Sequence, residues 1–123
     1  MLNFYVFTLL ILLAMYPKIL INGKSLKQLI FGFRQGVVTE TIKGVLSVDS
    51  YTIHFYSCND DEVRTLPLHQ GKPSRTVNFA SKLFNKLYFL SDNEKYVITF
   101  DPPQMLVYDQ NDNIVAEIDG KLF

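Results

Sequence analysis

The chain has no tryptophan and only one cysteine, Cys58. An intrachain disulfide framework is therefore excluded, and stability has to come from a packed core. No charged side chain precedes Lys18, and no acidic one precedes Glu40. The absence of any Asn-x-Ser/Thr sequon gives glycosylated secretion no support. No segment recurs at a fixed period, which excludes propeller and solenoid arrays. Two familiar ligand motifs are incomplete. Gly23-Lys24-Ser25 imitates the end of a phosphate-binding loop, but Lys18 stands where the first glycine is required. Asp109, Asn111 and Asn113 have the spacing of a calcium loop, but Ile114 replaces its turn glycine and Gly120 its bidentate acid. No nucleotide, metal or other cofactor is predicted, and residues 109–113 read as an Asx-rich turn.

What the chain does have is an apolar N-terminal run. Residues 4–16 are broken only by Thr8, and Phe4, Phe7, Leu9, Leu10, Ile11, Leu12 and Leu13 carry most of the bulk. A helix spanning a hydrocarbon core needs about 20 apolar residues. Counting through Ile21 reaches that length by including Pro17 and Lys18, whose ammonium can snorkel to the headgroups. The leading reading is a retained single-pass anchor or uncleaved signal over residues 1–22. A cleaved secretory signal, cut after Gly23, is the alternative, with Pro17 as its helix breaker. A buried core element in a soluble domain is the third.

Charge is divided along the chain. Lys18, Lys24, Lys27 and Arg34 precede the first acid, whereas residues 40–123 hold eight bases against twelve acids. Basic residues just beyond an apolar segment favour retention on the cytosolic face and attract anionic lipid. Residues 23–36 accordingly read as a basic juxtamembrane segment, and residues 37–123 as one small domain. This layout, an apolar run at residues 4–16 followed by Lys18, Lys24 and Lys27, resembles the retained sorting and anchoring segment of small envelope proteins of insect large DNA viruses, including the baculovirus per os infectivity factors. The resemblance covers about the first 27 residues. It implies a non-enzymatic component of a virion complex that acts in cell penetration, with no catalytic residues to transfer.

Within residues 25–33, Leu26, Leu29, Ile30 and Phe33 recur at helical spacing, opposite Lys24 and Lys27. A short amphipathic helix is predicted, packed on the domain or lying along a bilayer, and ended by Gly32 and Gly36. The period then becomes two. Residues 37–48 and 51–57 read as a hairpin turning at Asp49-Ser50, and residues 63–66 as a short edge strand. Phe79, Leu83, Phe84 and Leu87 fit a helical turn running into a strand at 87–90. Residues 87–90, 96–100, 105–108 and 114–118 read as a four-strand antiparallel meander. Tyr96, Ile98 and Phe100 alternate with Val97 and Thr99, so both faces of the sheet carry apolar bulk and both need cover. The predicted class is mainly β (α+β): an N-terminal hydrophobic helix, a short amphipathic helix, then a small antiparallel sheet.

Candidate chemistry is sparse. His54, Cys58 and His69, beside Asp60, Asp61 and Glu62, are the residues from which a nucleophile and base would have to be assembled. They lack zinc-ligand spacing. The acidic balance of the domain disfavours nucleic acid. The expectation is a non-enzymatic membrane or virion-envelope protein whose exposed aromatic surface contacts membrane lipid and other membrane or envelope proteins, with no small-molecule substrate. A secreted β binding domain and a small soluble enzyme are the alternatives.

Overall fold

In the computed structural model, which describes residues 16–34, 36, 38–68 and 75–123, the stretches of period two become strands of two antiparallel sheets. The chain runs through β1 (Ile19–Asn22), helix α1 (Gly23–Phe31), β2 (Gly44–Val48), β3 (Thr52–Ser57), β4 (Val63–Pro67), β5 (Val77–Ser81), a 3-10 helix (Phe84–Phe89), β6 (Lys95–Asp101), β7 (Gln104–Tyr108), β8 (Ile114–Asp119) and β9 (Lys121–Leu122). Sheet A has the order β1-β6-β7-β8 and sheet B the order β4-β3-β2-β5-β9. The fold is therefore mainly β with little helix. The hydrophobic helix expected before Tyr16 lies outside the described residues.

Alternation explains how the sheets meet. Ile19 and Ile21 of β1, Tyr96, Ile98 and Phe100 of β6, Met105 and Val107 of β7 and Ala116 and Ile118 of β8 are all buried on one side of sheet A. Opposite them, sheet B presents Leu46, Val48, Ile53, Phe55, Val77 and Phe79. Phe79 spans the gap to Phe100, with ring centroids 6.0 Å apart. The 3-10 helix inserts Phe84 edge-on to Phe55 at 5.1 Å and to Phe79 at 6.1 Å. Full burial of each such ring contributes about 1.5–3 kcal/mol, so this cluster anchors the sandwich. Just past β8, at Gly120, the chain leaves sheet A and re-enters sheet B as β9 beside β5.

Several expectations need correction. Residues 19–22, counted into the 1–22 anchor, form β1 and pair with β6, Ile19 opposite Ile98 and Ile21 opposite Tyr96. A continuous apolar run has no period, so it hides the point where a strand begins. A cut after Gly23 would remove β1 and its two buried isoleucines, Ile19 and Ile21. Gly23 is instead a packing glycine. Its N–H donates to the Glu94 carbonyl at 2.8 Å, and a Cβ would run into the Ser91 carbonyl oxygen. The four-strand meander keeps three of its strands, β6, β7 and β8, and β1 takes the fourth place. Residues 87–90 belong instead to the 3-10 helix and its cap, and the strand precedes that helix as β5. The hairpin turns at Asp49-Ser50 as expected, but β2 begins only at Gly44.

Helix α1 begins two residues earlier than its periodicity suggested, because Asn22 caps it by accepting from Lys24 N at 2.9 Å. Gly32 ends it at φ 69°, a left-handed value that glycine tolerates. Leu26, Leu29, Ile30 and Phe31 are buried, so the helix packs on the domain, while Phe33 falls beyond its end and is 90 % exposed. No described helix is long and apolar enough to cross a membrane.

Candidate interaction site: an apolar band and a basic groove

Sheet A has a second face, turned away from the core, and one of its rows is apolar. Leu20 of β1 stands opposite Val97, Val97 opposite Tyr108, and Tyr108 opposite Ile114, a row that crosses all four strands. The adjacent row holds Thr99, Leu106 and Glu117. Polar rows flank the pair: Asn22 and Lys95 on one side, and Asp101, Gln104 and Asp119 on the other. Leu20 is 58 % exposed and Ile114 48 %, whereas Leu106 is buried without belonging to the core between the sheets. A bulge on β8 leaves Val115 unpaired and brings Ile114 opposite Tyr108. A recess of about 500–600 Å³ over this face, 560 Å³ in volume, is lined by Val97, Leu106 and Tyr108 together with Tyr16 and Lys18.

Those last two residues tie the face to the start of the domain. Pro17 is buried and Ile19 is fully buried, so the chain passes from Tyr16 into β1 without a linker. Lys18 is exposed where it meets the recess. The remaining bases of the proposed juxtamembrane set lie elsewhere. β1 carries the chain ~13 Å before α1 begins, and Lys24, Lys27 and Arg34 gather around a groove of about 510 Å³ between α1 and the 3-10 helix. The four bases thus form two sites separated by β1.

Each part of the groove is fixed by packing or charge. Lys27 pairs with Asp92 and its ammonium stands 6.0 Å from the Tyr88 ring centre. Tyr88 meets Phe31 edge-on at 5.4 Å. Arg34 pairs with Glu40 and lies 3.8 Å from Asp60. Lys24 is exposed and has no ion pair among the described residues. The wall behind the groove depends on Arg64 of β4. Helix α1 has no base in its last turn, and Arg64 supplies the missing donors across the fold, Nε to Leu29 O at 2.7 Å and Nη2 to Ile30 O at 2.8 Å. Its Nη1 donates to Glu62 and Asp60 at 2.9 and 3.2 Å.

Two of the three acids singled out beside His54 and Cys58, Asp60 and Glu62, are therefore anchors for Arg64. Partial burial opposes ionisation of Asp60, but the Ser57 hydroxyl, the Glu62 N–H and Arg64 together outweigh it and hold its carboxyl below the usual range. His54 lies on the outer face of sheet B, where Nε2 meets the Thr52 hydroxyl at 3.0 Å and Nδ1 the Thr65 hydroxyl at 2.8 Å. Cys58 is exposed and unbridged, and His69 lies outside the described residues. No group of three potential metal ligands occurs among the described residues. At the β7–β8 turn Asp109 accepts from Asn113 N at 3.0 Å and Asn111 N at 2.8 Å, and these N–H groups hold its carboxyl below the usual range. Asp49 does the same work at the β2–β3 turn, lowered first by the Tyr51 N–H and then by that of Thr52.

The aromatics divide between core and surface. Phe31, Phe55, Phe79, Phe84, Tyr96 and Phe100 are buried, whereas Phe33, Phe89, Tyr51, Tyr56 and Phe123 are exposed. Phe4, Phe7, Leu9, Leu10, Ile11, Leu12 and Leu13, assigned to the anchor, lie outside the described residues. Sequence reasoning found the bases but missed Tyr88 and Asp92, which reach the groove from a 3-10 helix and a turn that carry no period of their own. No known protein family, curated protein or solved structure matches the chain.

Proposed function

We propose that the chain is a non-enzymatic, membrane-tethered interaction domain of a membrane or virion envelope, held at a bilayer by its apolar N-terminal run. Its working surface in this reading is the outer face of sheet A, which docks on neighbouring membrane or envelope proteins. The observation that carries the reading is the Leu20–Val97–Tyr108–Ile114 row. It begins on the strand that directly follows the apolar run, and apolar area left on a sheet face costs solvation unless something covers it.

The test combines extraction with substitution in native membranes. Wild-type protein is expected to stay in the membrane pellet through an alkaline wash and to crosslink to a neighbouring membrane protein. Leu20→Glu with Ile114→Glu, both at exposed positions, should leave pellet association intact and abolish the crosslink. Release of the wild-type chain by the wash, or an intact mass starting beyond the apolar run, would contradict the tether and favour a secreted domain. An undiminished crosslink in the double variant would contradict the docking face.

A further inference from the structure

The outer face of sheet A carries opposite charge on its two halves. The half made by β1 and β6 holds Lys18 and Lys95 against Asp101, while the half made by β7 and β8 holds Asp112, Glu117 and Asp119, with Lys86 at its edge. Asp109 adds a further carboxylate at the β7–β8 turn, and Glu94, beside Lys95, is turned to the Tyr96 hydroxyl on the buried side. The first half is therefore net positive and the second net negative. Between the charges runs the apolar row from Leu20 to Ile114. A face that is apolar along its middle and opposite in charge at its two sides matches its own copy turned through half a revolution, which is the condition for an isologous pair.

We propose that this face packs on the same face of a second copy of this chain, across a two-fold axis parallel to the strands, so that β1 lies over the partner's β8 and β6 over the partner's β7. The inference rests on the docking face proposed above and names its occupant. Residues level with one another across the sheet then meet: Leu20 the partner's Ile114, and Val97 the partner's Tyr108. One row along, Lys18 meets the partner's Glu117 and Thr99 the partner's Leu106. On the flanks Lys95 faces the turn that carries the partner's Asp112, and Asp101 faces the partner's Gln104. No acid faces an acid among these residues. The other two-fold arrangement, with each strand over its own copy, sets Leu20 against the partner's Lys18 and Asp119 against the turn with the partner's Asp112, so charge selects the first. The face measures about 19 Å across its four strands and about 20 Å along them, or roughly 400 Å² per copy. A pair burying about 800 Å² falls below the ~1,200 Å² at which stable complexes begin. It therefore forms where a bilayer holds the copies in one plane at high effective concentration, and it comes apart in dilute solution.

The experiment places the full chain in native membranes as two co-expressed copies with different epitope tags, one of them bearing a photoreactive side chain at position 20. Irradiation is expected to give an adduct that carries both tags and joins position 20 of one copy to the segment around Ile114 of the other. Lys18→Glu in both copies, or Glu117→Lys in both, should reduce that adduct by at least about fivefold, since like charges then meet twice. A Lys18→Glu copy together with a Glu117→Lys copy should restore it, because each reversed charge again meets its opposite. Both substitutions are at exposed positions, and thermal unfolding of each variant should match the wild type. A two-tag adduct that charge reversal leaves intact, or that the mixed pair fails to restore, would overturn the proposal. An adduct from position 20 to a different protein alone would overturn the second copy and leave the docking face standing. The absence of any adduct from position 20 would contradict the docking face itself, and this inference with it.

Discussion

The two sheets bury their inner faces in the same way and differ in how their outer rows are arranged. Sheet B carries a polar chain on its outer face, where Asp49 accepts from the Thr52 hydroxyl, Thr52 meets His54, and His54 meets Thr65, beside an apolar row of Val63, Tyr56, Val45 and Ala80. Sheet A shows solvent a hydrophobic row running from Leu20 to Ile114. A polar outer face is what an antiparallel sheet ordinarily presents to water. Each sheet thus departs from that pattern along one row, and the proposed docking face is placed on sheet A because its row begins on the strand that follows the apolar run.

The strongest challenge to this contrast concerns β1, on which sheet A alone depends for its edge. A chain beginning at Lys24 should lose cooperative thermal unfolding altogether, since Ile19 and Ile21 leave the core with the strand, whereas a chain beginning at Tyr16 should retain it. Retained cooperativity in the shorter chain would mean that sheet A does not need β1. Next in size are the two inner faces, which ought to respond alike. Ile98→Ala in sheet A should cost about 2–5 kcal/mol and Phe55→Ala in sheet B about 3–5 kcal/mol by denaturant titration. A cost below 1 kcal/mol for either, on the order of a surface change, would remove that sheet from the core.

Arg64→Met comes next. It strips two donors from the carbonyls that end α1, leaves Glu62 without its ion pair and leaves Asp60 with Arg34 alone. A loss of roughly 1–3 kcal/mol is expected, measurable by the same titration, and the loss should fall on the sheet B side, where α1 meets β4.

Acid should weaken both hairpin turns together. Asp49 and Asp109 have folded pKa values below those of the unfolded chain. Their contribution is thus fully present above the unfolded value and is lost as pH falls through the folded one, below about pH 4. Asp49→Asn and Asp109→Asn should each flatten the fall in thermal midpoint over that acid range. An unchanged slope would show that the turn carboxylates do not carry acid sensitivity. The smallest effect belongs to the outer faces themselves. Leu20→Thr, one position from fully buried Ile19, should shift stability by no more than about 0.5 kcal/mol.

Much of this fold can be read in the residues, and the failures have identifiable physical causes. Alternation located β3, β6, β7 and β8, and the Asp49-Ser50 turn fixed one hairpin. The edge strand near Val63 and the buried side of α1 were also legible. β1 was not, because Ile19–Asn22 follows the apolar run after only Pro17 and Lys18, and in so short a piece a strand, a core helix and the end of a membrane span all read alike. The helical turn through Phe84 was legible, but the end of the 3-10 helix reads as a strand because Leu87, Tyr88, Phe89 and Leu90 are all apolar or aromatic. Arg64 as the cap of α1 was beyond reach, since it joins groups more than 30 residues apart in sequence. Of the groove, the bases could be anticipated from charge placement. Their separation from Lys18 could not, because it follows from the strand hidden between them.

The most direct test is a photocrosslinking comparison in native membranes, with a photoreactive side chain at Leu20 on sheet A or at Thr65 on sheet B. If sheet A carries the docking face, Leu20 should yield a discrete adduct with another membrane or envelope protein and Thr65 none. Equal adducts from both positions, or an adduct from Thr65 alone, would contradict the division of labour between the two sheets.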